Sequence, residues 1–202
     1  MAIISRGIGW SQESNLLWYI LKQLNQLTGV LFGLKPKYKV YTALLTQSGG
    51  DGEDDVVSGG NIFKGITYYI NINDSNGDFT QYGAPNNNVG TYFVCNQDGF
   101  VPEGAQVYYN TGAPTVTVLE NTIGDMWFTY DAVGQYIVNS NGLFTQNKTA
   151  YFITNTNTAD FTLIFLTPNE IPNGVNIAST NILGVFTDSL FFNVPIEIRV
   201  YN

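Results

Sequence analysis

The sequence predicts a mainly β protein, with an antiparallel β-sandwich or jelly-roll-like body preceded by one short N-terminal α-helix. Three observations lead to this fold class. From Tyr38 onward, segments rich in Val, Ile, Thr, Tyr and Phe follow the two-residue period of strands. Turn dipeptides such as Asp98-Gly99 and Asn141-Gly142 separate these segments. A helical period occurs only before Pro36, so helices do not alternate with strands as they do in parallel α/β sheets.

The N-terminal segment has the pattern of an amphipathic helix. Ser11 is a suitable N-cap, and Glu13 lies in the first turn, where the helix dipole favours a negative charge. Six apolar side chains then recur at alternating spacings of three and four residues and form an apolar stripe: Leu17, Ile20, Leu24, Leu27, Leu31 and Leu34. Lys22 and nearby amides interrupt the apolar run, which argues against a membrane span. We predict that residues 1–36 form an attachment and oligomerisation segment that uses the apolar stripe.

This apolar stripe can be buried in three ways: against the β body, against copies of itself, or in a groove on another protein. Packing on the same domain is the usual arrangement for an amphipathic helix. A heptad period, a position before all the strands and the separating Lys35-Pro36-Lys37 favour an intermolecular contact instead. Leu at position a with Ile or Leu at position d also disfavours a simple dimer.

The body is predicted to start at residue 37 and to continue to residue 202. Ten segments are predicted as strands, at residues 38–45, 62–72, 91–95, 106–109, 115–120, 126–130, 135–138, 150–154, 161–167 and 190–201. Residues 161–166 are almost all apolar, and we expect them to form a central strand because an exposed one would favour aggregation.

Composition excludes several classes of function. The 202 residues include no histidine and one cysteine, Cys95. Serine–histidine and cysteine–histidine nucleophile pairs, histidine metal sites and internal disulfides are therefore excluded. The net charge of −8 argues against a nucleic-acid partner. We predict no enzyme activity, no catalytic residues, no cofactor or metal, and no nucleic-acid or membrane partner.

Charge is distributed unevenly along the chain. Residues 1–48 contain five basic residues and one acid, a net charge of +4, whereas the remainder contains three basic residues and fifteen acids, a net charge of −12. Such a difference indicates that the two parts face different partners. A pattern that serves only solubility is the alternative.

Four local features were considered as sites. The acidic run Asp51–Asp55 could bind Ca²⁺ or Mg²⁺, although a solvated loop is favoured. Cys95, within an apolar stretch, is predicted to be a core residue. A carboxylate pair for glycan hydrolysis would be sought first among Glu120, Asp125 and Asp131. Glycan binding, which would use aromatic and amide side chains, was assigned to two presumed loops at residues 83–88 and 171–181.

Two blocks of sequence resemble a β domain of structural proteins from tailed DNA bacteriophages, including the crAss-like phages. The first is KYKVYTALLTQSG at residues 37–49, and the second is APTVTVLENTIG at residues 113–124. The second block is followed by Trp127, Tyr130, VGQY at residues 133–136 and GLFTQNKT at residues 142–149. In that family the first block leads almost directly into the second, whereas residues 50–112 separate them here. We therefore predict that residues 50–112 form an inserted β lobe.

The resemblance implies a virion component on the particle surface, assembled as a homo-oligomer and most plausibly as a trimer. Its partners would be capsid or other virion proteins. The leading hypothesis is a head fibre or capsid decoration protein attached through its N-terminus. The alternatives are a tail-associated appendage that binds host-surface glycan or another receptor and, less favoured, a carboxylate-based glycan-degrading enzyme.

Overall fold

A computed structural model describes residues 19–23, 37–50, 52–74, 77–154 and 174–201, together with the backbone of residues 163–169. The chain divides into two units, Met1–Lys37 and Tyr38–Asn202. In the first unit, residues 19–23 are helical. The described residues include no helix long and apolar enough to cross a membrane.

The described residues of the second unit form short strands and one turn of 3₁₀ helix (Thr80–Tyr82). In chain order the strands are β1 (Tyr38–Thr46), β2 (Asp54–Ser58), β3 (Asn61–Ile62), β4 (Thr67–Asn73), β5 (Tyr92–Val94), β6 (Gly99–Phe100), β7 (Ala105–Asn110), β8 (Thr115–Asn121), β9 (Met126–Ala132), β10 (Gln135–Ser140), β11 (Thr149–Ile153), β12 (Leu163–Asn169), β13 (Gly174–Thr180) and β14 (Val194–Tyr201).

Two four-stranded antiparallel sheets form a sandwich. Their strand orders are β11-β14-β1-β8 and β12-β13-β10-β9. Alternate residues of the first sheet, including Tyr41, Leu45 and Ile196, are buried in one core with Phe128 and Ile177 of the second sheet. Each such fully buried side chain contributes about 1.5–3 kcal/mol. The predicted fold class, a mainly β antiparallel sandwich with one short N-terminal helix, is confirmed.

A third antiparallel sheet, of order β2-β7-β4-β5, has a separate core. This core contains Tyr68, Ile70, Phe93, Cys95 and Val107, all of them buried. All its members come from residues 57–109, within the range assigned to the inserted lobe, and we call residues 50–112 the lobe. Cys95 is buried, as predicted, and its thiol donates to the carbonyl of Gln97.

The two ends of the lobe lie side by side at the end of β1. Gln47 is buried, its side-chain amide donates to the carbonyl of Gly112 at 3.3 Å, and its side-chain oxygen accepts from the Ser189 amide. A Cβ at Gly50 would lie 2.5 Å from the carbonyl oxygen of Thr111. The chain therefore leaves the sandwich and returns to it at almost the same place, as inserted domains commonly do.

Three of the predicted loop and strand segments differ in the structure. Residues 171–181 were predicted to be an exposed loop, but β13 occupies most of this range and lies between β12 and β10. Its Val175 and Ile177 are completely buried. The segment 161–167 was predicted to be central, yet β12 lies at the edge of its sheet among the described strands.

The third error concerns residues 62–72, which do not form one strand. The chain turns at Lys64-Gly65 between β3 and β4. Gly65 has φ +86°, and a Cβ there would lie 2.8 Å from the carbonyl oxygen of Val116. Glycine is required at this turn because the backbone is left-handed and another backbone approaches it closely.

Candidate functional site

Three tyrosines form a row across one face of the lobe sheet. Tyr69 of β4 pairs directly with Tyr92 of β5 on one side and with Tyr108 of β7 on the other. Their sequence neighbours Tyr68, Phe93 and Tyr109 point to the opposite face and pack in or against the lobe core. Successive side chains alternate between the faces of a strand, so the row lies on the face turned away from that core.

The sandwich strand β9 forms the wall beside this row. Trp127 of β9 stacks on Tyr92, with ring centroids 5.3 Å apart and planes 7° from parallel. The Phe128 amide, on the edge of β9 that no described strand covers, donates to the Thr67 hydroxyl at 3.3 Å. The lobe therefore protects a sheet edge that would otherwise be open to pairing with another chain.

Between the lobe sheet and β9 lies a groove of about 280 Å³. The tyrosines whose rings share its face are Tyr69, Tyr92, Tyr108 and Tyr130; Tyr109 also borders the groove, although its ring packs against the lobe core. The other lining residues are Phe128 and the polar residues Asp54, Thr67, Asn110 and Thr129. None of these lining residues is basic, so Asp54 gives the groove a negative charge.

The polar groups at one end of the groove are held in place by hydrogen bonds. Asn110 donates from its side-chain amide to Asp54 Oδ1 at 3.0 Å and to the Gly52 carbonyl at 2.5 Å. Its side-chain oxygen accepts from the Gly112 amide at 3.1 Å. Asn110 thus links the Asp54 carboxylate to both connections between lobe and sandwich.

Tyr130 occupies the junction of lobe and sandwich at the same end. A Cβ at Gly52 or at Gly112 would come within 2.6 Å of its ring, so two glycines make room for it. Its hydroxyl donates to Asp188 Oδ2 at 3.0 Å, and the Tyr136 hydroxyl donates to Asp188 Oδ1 at 2.8 Å. Asp188, which also accepts from the Gly134 amide, fixes the position of the Tyr130 ring.

The Tyr92 hydroxyl in the groove is less acidic than that of an ordinary tyrosine. Burial raises the pKa of Tyr92, and the neighbouring Tyr69 and Asp54 raise it further. Its hydroxyl is therefore a neutral group that can both donate and accept hydrogen bonds. The groove offers aromatic surface, phenolic hydroxyls and one carboxylate, which is a combination suited to binding a neutral polar molecule.

The apolar stripe proposed for oligomerisation lies mostly outside the described residues. Only Ile20 is described; it is helical, and 48% of it is exposed. Leu17, Leu24, Leu27, Leu31 and Leu34 are not among the described residues. Their role in attachment stays a prediction.

Where the structure describes it, the acidic run is exposed and is partly loop, at Glu53, and partly strand. Asp54 and Asp55 begin β2, where they pair with Asn110 and Tyr109 and so point to opposite faces of the sheet. Asp55 accepts a hydrogen bond from the Tyr109 hydroxyl at 3.0 Å. Asp51 lies outside the described residues, and the described part of the chain contains no cluster of three or more metal-ligating side chains.

The carboxylates considered for glycan hydrolysis do not lie in the groove. Glu120, Asp125 and Asp131 are all exposed, and none of them lines it. In the loop at residues 83–88, Asn86 and Asn87 form hydrogen bonds with nearby groups, including the Thr91 hydroxyl and the Phe79 amide. No described residue of either predicted glycan-binding loop lines the groove.

The tyrosine row was missed because its members are far apart in sequence and meet only through strand pairing. One local signal was present. Tyr68-Tyr69, Tyr92-Phe93 and Tyr108-Tyr109 are adjacent aromatic pairs inside predicted strands, and a strand must place one ring of each pair on its second face. One core can bury only the rings on one face of the sheet, which are half of these six rings.

Comparisons with known proteins identify no relative. No family model matches the chain, and no curated protein or solved structure matches it.

Proposed function

We propose that the chain is a non-enzymatic structural protein of a tailed-phage virion, a head fibre or capsid decoration protein exposed on the particle surface. Residues 1–36 attach it to the capsid or another virion protein and assemble it as a homo-oligomer, most plausibly a trimer. Residues 37–202 form the projecting body. A tail-associated appendage is the alternative location.

The observation that carries this proposal is the placement of the two blocks that resemble phage structural proteins. The block at residues 37–49 supplies β1, and the block at residues 113–124 supplies β8. These strands pair antiparallel, for example Leu45 with Val116, with one register shift between Thr42 and Ala43, although 63 residues lie between the blocks. The usual order of the two blocks in the family that the chain resembles is therefore compatible with one sheet, whether or not a lobe is inserted between them.

The insertion point also supports a modular appendage. Gln47, in the Gln-Ser-Gly part of the first block, bonds to Gly112, which directly precedes the second block. The lobe can therefore be added without changing the path of β1 or β8. A surface lobe added to a conserved sandwich is a common way to give a structural domain a binding role.

Charge supports a division between the two parts. The excess of basic residues coincides with the segment that carries the apolar stripe, and the excess of acids coincides with the sandwich and lobe. Opposite net charges suit a segment that docks on one partner and a body that remains soluble in front of another.

Attachment is tested by adding purified fluorescent protein to phage particles that lack the chain. We expect the unmodified protein to bind and to have, by light scattering, a multiple of the 22.3 kDa chain mass. Leu24→Asp combined with Leu27→Asp should abolish binding and assembly while the β-sheet circular dichroism spectrum is kept.

The matched control is Leu119→Asp combined with Leu183→Asp. It makes the same leucine-to-aspartate change at two exposed positions of the body. We expect this variant to attach and assemble normally. Equal attachment by both double variants, or a monomeric unmodified protein, would contradict the proposed role of residues 1–36.

A further inference from the structure

We propose that the groove between the lobe and β9 binds a neutral saccharide of the host-cell surface. The inference deepens the proposed function, which it uses only to name the source of the saccharide. The binding itself is inferred from the row formed by Tyr69, Tyr92 and Tyr108 and from the carboxylate of Asp54.

The tyrosine row has the dimensions and chemistry of a sugar platform. Neighbouring strands are about 4.8 Å apart, so three rings in one row extend over roughly 10 Å, which is enough for a short oligosaccharide. The faces of aromatic rings carry partial negative charge and attract the polarised C–H groups on the flat side of a pyranose. Tyr92 remains 38% exposed despite its stack on Trp127, so part of this surface is accessible.

Ring contacts beside and within the row hold Tyr92 in place before any ligand binds. Trp127 fixes Tyr92 by parallel stacking, and Tyr69 packs on Tyr92 with a centroid separation of 4.7 Å. A preformed aromatic surface loses little conformational entropy on binding.

Asp54 supplies the directional contact. Asn110 holds its Oδ1 at 3.0 Å, which orients the carboxylate at the end of the groove. A carboxylate accepts charge-assisted hydrogen bonds from hydroxyl groups, and vicinal sugar hydroxyls can donate two at once. The Tyr92 hydroxyl carries its proton at neutral pH, as a phenol does, and burial raises its pKa further, so it can donate to a sugar oxygen.

Charge decides between neutral and anionic saccharides. Asp54 is the charged residue among those lining the groove, and residues 49–202 carry a net charge of −12. Uronic and sialic acids would bring a second carboxylate close to that of Asp54. The two carboxylates would repel each other, because no basic residue of the lining neutralises their charge. The groove should therefore prefer saccharides built from neutral hexoses or N-acetylhexosamines.

The test uses the intact protein and two sets of immobilised oligosaccharides. One set contains neutral gluco-, manno-, galacto- and N-acetylglucosamine oligomers, and the other contains sialylated and uronate oligomers. We expect binding within the neutral set and weaker binding or none in the anionic set. The affinity of the best neutral oligomer is then measured by calorimetry for the variants.

Tyr92→Ala should weaken the affinity by about fivefold to tenfold, since one aromatic contact is lost. Asp54→Asn should weaken it by about tenfold, since the contact to a charged acceptor is lost. Asp54→Asn retains an oxygen that accepts the hydrogen bond from Asn110, so this variant should fold. It therefore tests saccharide binding by the groove even if Tyr92→Ala disturbs the fold. The matched aromatic control is Phe152→Ala, which removes a 47% exposed ring from the other sheet of the sandwich and should leave the affinity unchanged.

Three results would overturn the inference: no binding to any neutral oligomer, unchanged affinity in both groove variants, or a preference for the anionic set. These results differ from a failure of the proposed function. Saccharide binding is measured without phage particles, and particle attachment is measured without saccharide. The Leu24→Asp/Leu27→Asp variant should no longer attach to phage particles, but each of its grooves should bind the saccharide with unchanged affinity.

Discussion

Tyr92 and Trp127 stack almost in parallel, 5.3 Å apart, although Tyr92 belongs to the lobe and Trp127 to the sandwich. The contact joins the strand at one end of the tyrosine row to the strand that forms the wall of the groove. It therefore fixes the groove geometry and contributes to the docking of the lobe at the same time.

Removing both rings of this stack should reveal their coupling. We predict that Tyr92→Ala and Trp127→Ala are less than additive, with an interaction free energy of about 0.5–1.5 kcal/mol. Urea unfolding of the two single variants and the double variant measures it. Strict additivity would show that the rings contribute independently and that the stack does not hold the lobe.

Gly112→Ala should destabilise the protein by about 1–3 kcal/mol because the new Cβ would lie 2.4 Å from the Tyr130 ring. Gly60→Ala is the control: its Cβ would lie 3.1 Å from a single methyl group of Val57, which can adjust. Differential scanning calorimetry compares the two. If both variants have the same melting temperature as the unmodified protein, Tyr130 is not closely packed against Gly112 and the prediction is wrong.

Loss of the hydroxyl group should change the stability of the protein differently at two buried tyrosines. Tyr136→Phe removes a hydrogen bond to the Asp188 carboxylate and should cost about 1.5–3 kcal/mol. The Tyr41 hydroxyl is buried without a partner among the described residues, so Tyr41→Phe should be neutral or stabilising. Chemical denaturation of both variants tests this contrast, and an equal loss in both would refute it.

Alkaline pH should destabilise the fold through buried tyrosines. Burial raises the pKa of Tyr68 to about 12, and it also raises the pKa values of Tyr41 and Tyr136. The pKa of these tyrosines in the unfolded chain is about 10. Their contribution to the free energy of unfolding is therefore complete below pH 10. It is lost as the pH rises towards 12, because the unfolded chain then releases the tyrosine protons more readily than the folded chain. The unfolding free energy, measured from pH 8 to 11.5, should fall more steeply above pH 10.

The absorbance of tyrosinate near 295 nm provides the check on this prediction. Exposed tyrosines should titrate in the folded protein, and Tyr41, Tyr68 and Tyr136 should titrate only as it unfolds. If all 13 tyrosines titrate near pH 10 while the circular dichroism spectrum is unchanged, burial does not control this stability.

Much of the sandwich was predictable because its strands alternate clearly. Tyr41, Ala43 and Leu45 of β1 are buried, and the intervening residues are not, as the two-residue period requires. β13 was missed because only Val175 and Ile177 carry large apolar side chains, while Gly174, Asn176 and Ser179 are typical of turns. β2 was missed because the charges of Asp54 and Asp55 concealed a strand that lies at the edge of its sheet.

The candidate site was not predictable in position. Tyr69, Tyr92 and Tyr108 come together through the register of three strands, and Trp127 reaches them only because the lobe docks against β9. Local sequence determines neither relationship. The composition in tyrosine, tryptophan and polar side chains predicts sugar binding in two other segments, and that prediction stays untested.

Quantitative mass spectrometry of purified, nuclease-treated phage particles tests the central claim most directly. The account predicts that the chain copurifies with the major capsid protein through a density gradient and is present in many copies per particle. A low copy number, close to that of tail proteins, would favour the tail alternative. Absence of the chain from particles with intact heads and tails would contradict the proposal that it is a virion structural protein.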